Sequence, residues 1–356
     1  MTLIMLCACI LLLCACSVPA DNSEQSRVVS IWYITGDVLV PQLKECCEQI
    51  KTENDNIIIE LCPFESMELL YETLQGKRPD LLLCSHELAF SLEEQGMLKS
   101  LDIPGLDYRP ELLAKYAGFG KSFFPIGAAV ELLCSTNELR LAELISFEAL
   151  CSKLCESGKL MTADSFARVM STALIQTDAE LSTNRRENAA NPHYRYIHNL
   201  LAETAMQGSL AVFDQGGAEV LSQGRVEAAI ISSGGISKLP DEITIMPVPP
   251  MEGGSKSCIA DMRGFAYLGN TRDNSQATAF VLKKLLSQGG ARELALSCGL
   301  VSAQLWEDEN VEGNLQQALY EIYSQWEMIL PSPVSPYVMA RQQLEEELSA
   351  AIEYLQ

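Results

Sequence analysis

LLYETLQGKRPDLLLCSHELAFSLEEQGMLKSLD, residues Leu69–Asp102, carries the strongest information about the architecture of this chain. Its first part continues a helical pattern that starts at Ser66 and ends at Gly76, a residue type that terminates helices. Arg78–Asp80 then leads into Leu81–Cys84, an apolar run without alternation. A continuous apolar run next to an amphipathic helix is typical of a strand buried on both faces. The stretch therefore predicts an α/β fold with a parallel-rich sheet flanked by helices.

The same succession of elements continues on both sides of this stretch. Upstream, Val28–Tyr33 and Asn56–Cys62 have the pattern of buried strands, and Val40–Lys51 between them has helical spacing. Downstream, strands and helices alternate again, and the chain is almost entirely helical after Leu315. The downstream strands are predicted at Val226–Ser232, Ile243–Val248 and Phe265–Leu268, and the helices at Ser275–Leu286, Gly289–Ala295, Leu315–Ile329 and Val338–Leu355.

The N-terminus has the pattern of an export signal. Leu3–Ala15 is uncharged and mostly apolar, shorter than the roughly 20 residues of a membrane span. It ends in Leu13-Cys14-Ala15-Cys16, which resembles a bacterial lipobox with Cys16 as the lipidated residue. We therefore expect residues 1–16 to be a lipoprotein signal peptide and residues 17–27 to be a flexible tether. An ordinary secretion signal is the alternative, and the absence of Lys and Arg before the apolar run is compatible with a start further upstream.

Composition limits the possible partners. The chain has 25 Lys and Arg against 47 Asp and Glu, a net charge of −22, and no basic cluster. Nucleic acid is therefore excluded as a partner, and contact with the membrane is expected only through the N-terminal lipid. About 340 residues follow the signal peptide, enough for two lobes or domains.

The cysteines do not form the pattern of a disulfide framework. Nine lie beyond the leader, an odd number, and several of them are embedded in apolar runs. We expect most of them to be small buried side chains. Only three histidines accompany them, so neither a metal site nor a cofactor is predicted. The nine are Cys46, Cys47, Cys62, Cys84, Cys134, Cys151, Cys155, Cys258 and Cys298.

Several motifs, in order along the chain, resemble one known family. Leu69–Asp102 is similar to that family's helix, Gly-Lys-x-Pro-Asp turn, strand and helix, and Phe124–Gly127 to its first crossing between lobes. Phe213–Ile230, Met246–Pro249 and Gly299–Ala303 resemble later elements of the family. The family is that of the extracellular solute-binding lipoproteins of ABC importers, of the maltose-binding-protein-like group.

This resemblance implies a two-lobe periplasmic-binding-protein-like fold of the class II type, with a ligand cleft between the lobes. We expect lobe 1 to comprise residues 28–128 and 262–304, and lobe 2 residues 129–261 and 305–356. The implied function is capture of a small solute, such as a sugar or short oligosaccharide, by lobe closure, and its delivery to an ABC permease. The chain would be anchored by its lipid to the cell membrane on the extracytoplasmic side.

Candidate ligand-binding residues lie just beyond predicted strand ends and at the crossings, where ligands bind in open parallel sheets. Recognition of a sugar needs polar groups for its hydroxyls and an aromatic face for its C–H surface. Tyr33, Asp37, Glu131, Arg263 and Trp306 could supply both, and Asp261 adjoins the second crossing. The candidates are Tyr33, Thr35, Asp37, Ser85, His86, Glu131, Ser232, Gly234, Arg263 and Trp306.

Each aromatic and buried-polar candidate has an alternative interpretation. Trp32 and Tyr33 are adjacent in a strand, so one is expected to point into the core. Glu131 could instead accept from a hinge amide, Trp306 could pack in a core, and His86 could be a solvated loop residue. Ser232–Gly235 stands where the family often has Gly-Pro-Trp, and this difference argues against a long oligosaccharide.

Other functional classes remain as alternatives. Catalysis is not predicted, because Gly-x-Ser-x-Gly and His-Glu-x-x-His motifs are absent and Gly120-Lys121-Ser122 lacks the first glycine of a phosphate loop. A solute-binding protein for a peptide, a polyamine or an anion is one alternative. A sensor or scaffold lipoprotein that retains the fold is the other, and its cleft would be filled by its own side chains.

Overall fold

A computed structural model describes residues 27–136, 145–179, 182, 184–240, 242–269, 274–287, 290–306, 311, 313–331 and 336–355. In these ranges ten strands form one connected sheet, with helices on both faces. The strands are β1 (Arg27–Ile34), β2 (Ile57–Phe64), β3 (Leu81–Ser85), β4 (Phe123–Ser135), β5 (Met161–Ala163), β6 (Ala228–Ser232), β7 (Thr244–Pro247), β8 (Ser257–Tyr267), β9 (Val301–Ser302) and β10 (Glu327–Ile329).

The helices alternate with these strands along most of the chain, which confirms the predicted α/β class. They are α1 (Val40–Glu53), α2 (Met67–Leu74), α3 (His86–Glu94), α4 (Pro110–Lys115), α5 (Phe147–Ser157), α6 (Phe166–Gln176), α7 (Arg185–Ala190), α8 (Pro192–Met206), α9 (Gly217–Ser222), α10 (Ser275–Leu285), α11 (Gly290–Ser297), α12 (Asn314–Gln325) and α13 (Pro336–Leu355), with a 3₁₀ segment at Ser233–Lys238.

Serine N-caps fix where several helices begin. The hydroxyl groups of Ser66, Ser85, Ser146 and Ser165 each accept a hydrogen bond from the backbone amide three residues further on. Such a cap satisfies one of the free amides of the first turn, and its loss costs about 1 kcal/mol. Ser85 is the last residue of β3, and Ser165 comes two residues after β5, so both place helix N-termini beside the carboxyl ends of strands.

The sheet has the strand order β2-β1-β3-β8-β4-β6-β5, and β7, β9 and β10 pair at its sides. The β1 strand runs parallel to both β2 and β3, whereas β8 runs antiparallel to β3 and β4. We call the part around β2, β1 and β3 lobe 1 and the part around β6, β5 and β7 lobe 2. The residue boundaries predicted for these lobes stay a prediction.

Two long strands join the lobes. The first part of β4, Phe123–Val130, pairs with β8, and its last part, Glu131–Ser135, pairs with β6. The sequence pattern predicted only the end of β8, because its beginning, from Ser257, contains polar residues. These two strands therefore place Glu131 where they separate.

The region Leu315–Ile329 differs from the single helix predicted by its hydrophobic spacing. Helix α12 ends at Gln325, and Glu327–Ile329 is strand β10, parallel to the beginning of β8. Buried Trp326 lies between the two elements. Pairing with Ser257–Ile259 overrides the local helical pattern, because it satisfies backbone groups on both strands.

Three clusters of apolar side chains support the sheet. One cluster packs in lobe 1 around Phe124 and Phe265, and another in lobe 2 around Phe147 and Phe166. The third lies on the opposite face and includes side chains from both lobes, among them Leu82 and Leu132. In the part of the chain that the structure describes, no helix combines the length and the apolar character needed to cross a membrane.

Candidate functional site

A row of charged side chains follows the two joining strands across the gap between the lobes. In the β4–β8 ladder Gly127 lies opposite Arg263 and Ala129 lies opposite Asp261. Directly opposed residues share a face of the sheet, and residues two apart on one strand do too. Glu131, Asp261 and Arg263 are therefore on one face, and we call this surface the cleft floor.

Arg263 binds two carboxylates on this floor. Its Nη1 lies 3.1 Å from Asp37 Oδ2, and its Nη2 lies 2.8 Å from Asp261 Oδ2. The Asp37 side chain is only 4% exposed, whereas that of Arg263 is 32% exposed. Burial lowers the pKa of Arg263, but Asp261 and Asp37 more than offset this, and the pKa is raised overall. Arg263 thus remains charged and connects the loop after β1 to the joining strands.

Glu131 is paired on the lobe 2 side of the floor. Its Oε1 lies 2.6 Å from Nε of Arg168, a residue in the first turn of α6, and Glu131 is only 6% exposed. Burial raises the pKa of Glu131, Arg168 opposes this, and the negative charges of Asp164, Glu345 and Asp261 add to the increase. Glu131 is therefore an acid held in a desolvated and negatively charged environment.

One oxygen of each of two carboxylates on the floor has no hydrogen-bond partner among the described residues. They are Glu131 Oε2 and Asp261 Oδ1, and both atoms are buried. An ionised carboxylate only accepts hydrogen bonds, and a buried acceptor without a donor is costly. The floor thus presents two acceptor atoms that need donors.

Two further carboxylates lie at the lobe 2 edge of this set. Asp164 accepts hydrogen bonds from the amides of Gly217, at 2.7 Å, and Ser232, at 3.0 Å. Glu345, on α13, accepts from Ser165 Oγ and from the amides of the first turn of α6, including that of Ala167 at 2.8 Å. A carboxylate at a helix N-terminus is stabilised by the helix dipole. The floor and its edge thus combine five carboxylates with two arginines.

The lobes touch at one rim of the cleft. Ser233 Oγ accepts a hydrogen bond from the amide of Val130 at 3.2 Å. The Ser233 carbonyl lies against Gly299, and Gly234 lies against Val38. Gly299 has a φ of +69°, and a β-carbon there would collide with the Ser233 carbonyl. A glycine is therefore required at this contact between the lobes.

The remaining polar candidates lie around the floor. Thr35 and Ser232 are accessible to solvent, whereas Ser85 and His86 are engaged in hydrogen bonds within the fold. Thr35 is exposed and Ser232 is half-buried near the edge of lobe 2. Ser85 caps α3. The next residue, His86, is buried: its Nδ1 lies 3.3 Å from the amide of Met262, and its Nε2 lies 2.9 Å from the carbonyl of Pro331. His86 therefore carries its proton on Nε2 and joins lobe 1 to two later segments.

Neither ring offered by the sequence for stacking on a sugar faces the cleft floor. Tyr33 is 3% exposed and packs in the core of lobe 1, while Trp32 packs in the core on the opposite face. Trp306 is 6% exposed and contacts the rings of Tyr320 and Tyr323. Cys16, the residue predicted to carry a lipid, lies outside the described residues.

Sequence reasoning did not identify Arg168, Asp164 or Glu345. Asp164 follows a strand end, which is the rule used for the other candidates, but strand β5 has only three residues and lies in a segment rich in small and polar residues. Glu345 is in the C-terminal helix, far along the chain from the joining strands. Only the three-dimensional packing of α13 against α6 reveals its position.

A separate recess lies inside lobe 2, with Glu131 in its wall. Its other walls are mostly apolar and include Phe147, Val169, Ile230 and Trp326. The space is sufficient for about one or two water molecules. It is therefore too small for a nutrient molecule, and the cleft floor is the better candidate for a ligand site.

No family model and no curated protein matches this sequence. Solved structures match its fold. Maltose-bound MalE3 of T. maritima is 12% identical, with a TM-score of 0.69, and the match covers 92% of this chain and 97% of that one. The spermidine/putrescine ABC transporter substrate-binding protein PotD from Streptococcus pneumoniae is 16% identical, with a TM-score of 0.69, covering 93% and 99%.

A probable secreted solute-binding lipoprotein from Streptomyces coelicolor is 17% identical, with a TM-score of 0.65, and the match covers 92% of this chain and 98% of that one. The matches therefore extend over nearly the full length of each known structure. They show that this chain has the two-lobe α/β fold of the maltose-binding-protein-like solute-binding proteins, in agreement with the resemblance in its sequence.

Proposed function

We propose that this chain captures a small solute between its two lobes and delivers it to the permease of an ABC importer. The observation that carries the proposal is the charged floor laid across two strands that join the lobes. A ligand on that floor contacts both lobes at once, so its binding favours the closed arrangement over an open one. Closure would bury most of a small molecule, as is usual for ligand sites between domains.

The comparisons support binding rather than catalysis. The three matching structures described above are named as solute-binding proteins or as a maltose complex. The charged groups on the floor are held in ion pairs, and both ring nitrogens of His86 are used in contacts with backbone atoms. This arrangement resembles a recognition surface more than a nucleophile activated by a base.

The class of solute is the finer part of the proposal. The sequence favoured a sugar, and that expectation depended on aromatic rings that could stack on it. The two rings concerned, Tyr33 and Trp306, are buried in apolar cores. The charged floor favours the alternative that the sequence left open, a non-sugar solute. We therefore propose a charged polar solute for this cleft rather than an oligosaccharide.

We also propose that Cys16 carries a lipid that anchors the chain on the extracytoplasmic side of the membrane. The support is the lipobox-like Leu13-Cys14-Ala15-Cys16 and the polar stretch after it. The test is detergent-phase partitioning of the expressed chain. Cys16→Ser is expected to move the protein to the aqueous phase, whereas the matched control Cys14→Ser stays in the detergent phase. Retention of both variants in detergent would contradict lipidation at Cys16.

The test of solute capture combines two measurements on the full-length chain in detergent. A ligand that binds only the folded chain raises its melting temperature, with about 2.7 kcal/mol of added stability at a hundredfold excess over Kd. The panel contains maltose, short peptides, amino acids, diamines and phosphate. We expect one class of compound to raise the melting temperature. In the presence of that compound, small-angle scattering should report a smaller radius of gyration of the protein. No shift with any class would contradict solute capture and favour a sensor or scaffold role.

A further inference from the structure

We propose that the solute carries a primary ammonium group, which donates hydrogen bonds to Asp261 Oδ1 and Glu131 Oε2 on the cleft floor. This inference rests on the proposed function and specifies the chemistry of its ligand. It follows from the two buried acceptor atoms, from the way in which the arginines hold their carboxylates, and from the charge around them.

Each of the two carboxylates uses only one of its oxygens to bind an arginine. Asp261 uses Oδ2 to bind Arg263, and Glu131 uses Oε1 to bind Arg168. The other oxygen of each group is buried without a hydrogen-bond partner among the described residues. The arginines thus fix the orientation of both carboxylates and leave one acceptor on each for a ligand.

The two acceptors are close enough to share one ligand group. Ala129 lies opposite Asp261 in the β4–β8 ladder, and Glu131 is two residues further along on the same face. Diagonal neighbours of this kind have α-carbons about 7 to 8 Å apart. The negative charge of Asp261 also contributes to the raised pKa of Glu131, so the two carboxylates are near neighbours, and we place a single ammonium between them. An ammonium has three donors and no acceptor, which is the complement of two carboxylate oxygens.

The surrounding charge favours a cation over an anion. Five carboxylates belong to the floor and its edge, namely Asp37, Glu131, Asp164, Asp261 and Glu345, whereas Arg168 and Arg263 supply the positive charges. The excess of negative charge is concentrated in a partly buried region, where Coulomb interactions are stronger than in water. An anion would meet repulsion there, and a neutral hydroxyl would gain less than an ammonium from the charge-assisted hydrogen bonds.

Isothermal titration calorimetry with the full-length chain tests this inference. The probes are 1,4-diaminobutane, the zwitterionic amino acid alanine, maltose and inorganic phosphate. Binding of 1,4-diaminobutane or alanine supports the inference, and a comparison of the two distinguishes a diamine from an amino acid as the source of the ammonium. Binding of maltose or phosphate alone would overturn it while leaving solute capture intact. Silence with all four probes would overturn it as well, and the wider panel of melting measurements then decides whether solute capture fails with it.

Two variants locate the ammonium. Asp261→Asn and Glu131→Gln keep the shape of each side chain but remove its charge, and we expect each to weaken binding of the active probe by about 10- to 100-fold. Glu203→Gln is the matched control, because Glu203 is exposed on α8 away from the floor, and it should bind as the unmodified chain does. Unchanged affinity in Asp261→Asn would overturn the proposed position. That variant suffices if Glu131→Gln does not fold.

Discussion

The carbonyl oxygen of Ser233, in lobe 2, lies where a β-carbon on Gly299, in lobe 1, would stand. The two lobes thus approach each other through backbone atoms at this point of the rim. A contact of this kind is sensitive to the addition of a single methyl group, and it offers a way to separate the lobes without altering the charged floor.

Gly299→Ala is expected to open this rim. The new methyl group collides with the Ser233 carbonyl, so the variant should have a larger radius of gyration in small-angle scattering than the unmodified chain. Gly224→Ala is the control, because Gly224 also has a positive φ, +67°, but no atom within 4 Å of its β-carbon position. Both variants lose about 1 to 2 kcal/mol of stability to the left-handed conformation. Equal radii for the two variants would contradict a role of Gly299 in lobe contact.

Glu131 should make stability depend on pH in a defined direction. Its pKa is raised by burial, against the opposing effect of Arg168, so the folded chain binds this proton more tightly than the unfolded chain. The resulting contribution to stability is present below the unfolded pKa, about 4.3, and is lost as the pH rises through the folded pKa. We expect the free energy of unfolding of the unmodified chain, minus that of Glu131→Gln, to be lower at pH 7 than at pH 4. Urea titrations of both proteins at the two pH values measure this difference in free energy. The same difference at pH 4 and pH 7 would contradict the raised pKa of Glu131.

The two hydrogen bonds of His86 should contribute to stability. His86→Ala leaves the buried amide of Met262 and the carbonyl of Pro331 without this partner, and we expect a loss of about 1 to 3 kcal/mol in the free energy of unfolding. His193→Ala, at an exposed position on α8, should change it by less than about 0.5 kcal/mol. Equal unfolding midpoints in urea for the two variants would show that the contacts of His86 contribute nothing measurable.

Most thiols should be unreactive in the folded chain. Burial raises the pKa of Cys47, Cys84, Cys151 and Cys258 to about 12, so roughly one molecule in 10,000 is a thiolate at each site at pH 8. We expect alkylation at pH 8, mapped by mass spectrometry, to modify these four only after denaturation. Half-buried Cys46, Cys62 and Cys155 should react first. Early modification of Cys84 or Cys258 would show that the core opens on the time scale of labelling.

The sequence was most informative where local pattern and tertiary structure agree. The apolar run Leu81–Cys84 and the helical spacing of Val40–Lys51 predicted elements that the structure contains almost residue for residue. The pattern was insufficient where pairing with a distant strand decides the conformation, as at Glu327–Ile329. A strand of three residues shows little periodicity in its sequence, so its existence depends on pairing with a strand that is remote along the chain.

The candidate site was predictable only in part, and for a related reason. Asp37, Glu131 and Arg263 were identified by their positions at strand ends and crossings, and the structure brings them onto one floor. Arg168 and Glu345 belong to helices. The amphipathic pattern of a helix identifies its buried apolar face, but it does not show which of its polar residues lies beside a strand. Alternation along the strand showed that Trp32 and Tyr33 face opposite sides of the sheet. Both sides are covered by apolar clusters, so both rings are buried.

The pairing of β4 with β8 also has a consequence for the order in which the chain acquires structure. Phe123 pairs with Ala266 across the sheet, so lobe 1 cannot complete its sheet until more than two thirds of the polypeptide has left the ribosome. Closing so long a loop is entropically costly and slows folding. This delay suits a chain that is exported as proposed here. A nascent polypeptide whose sheet is still incomplete has not folded and can pass through a secretion channel.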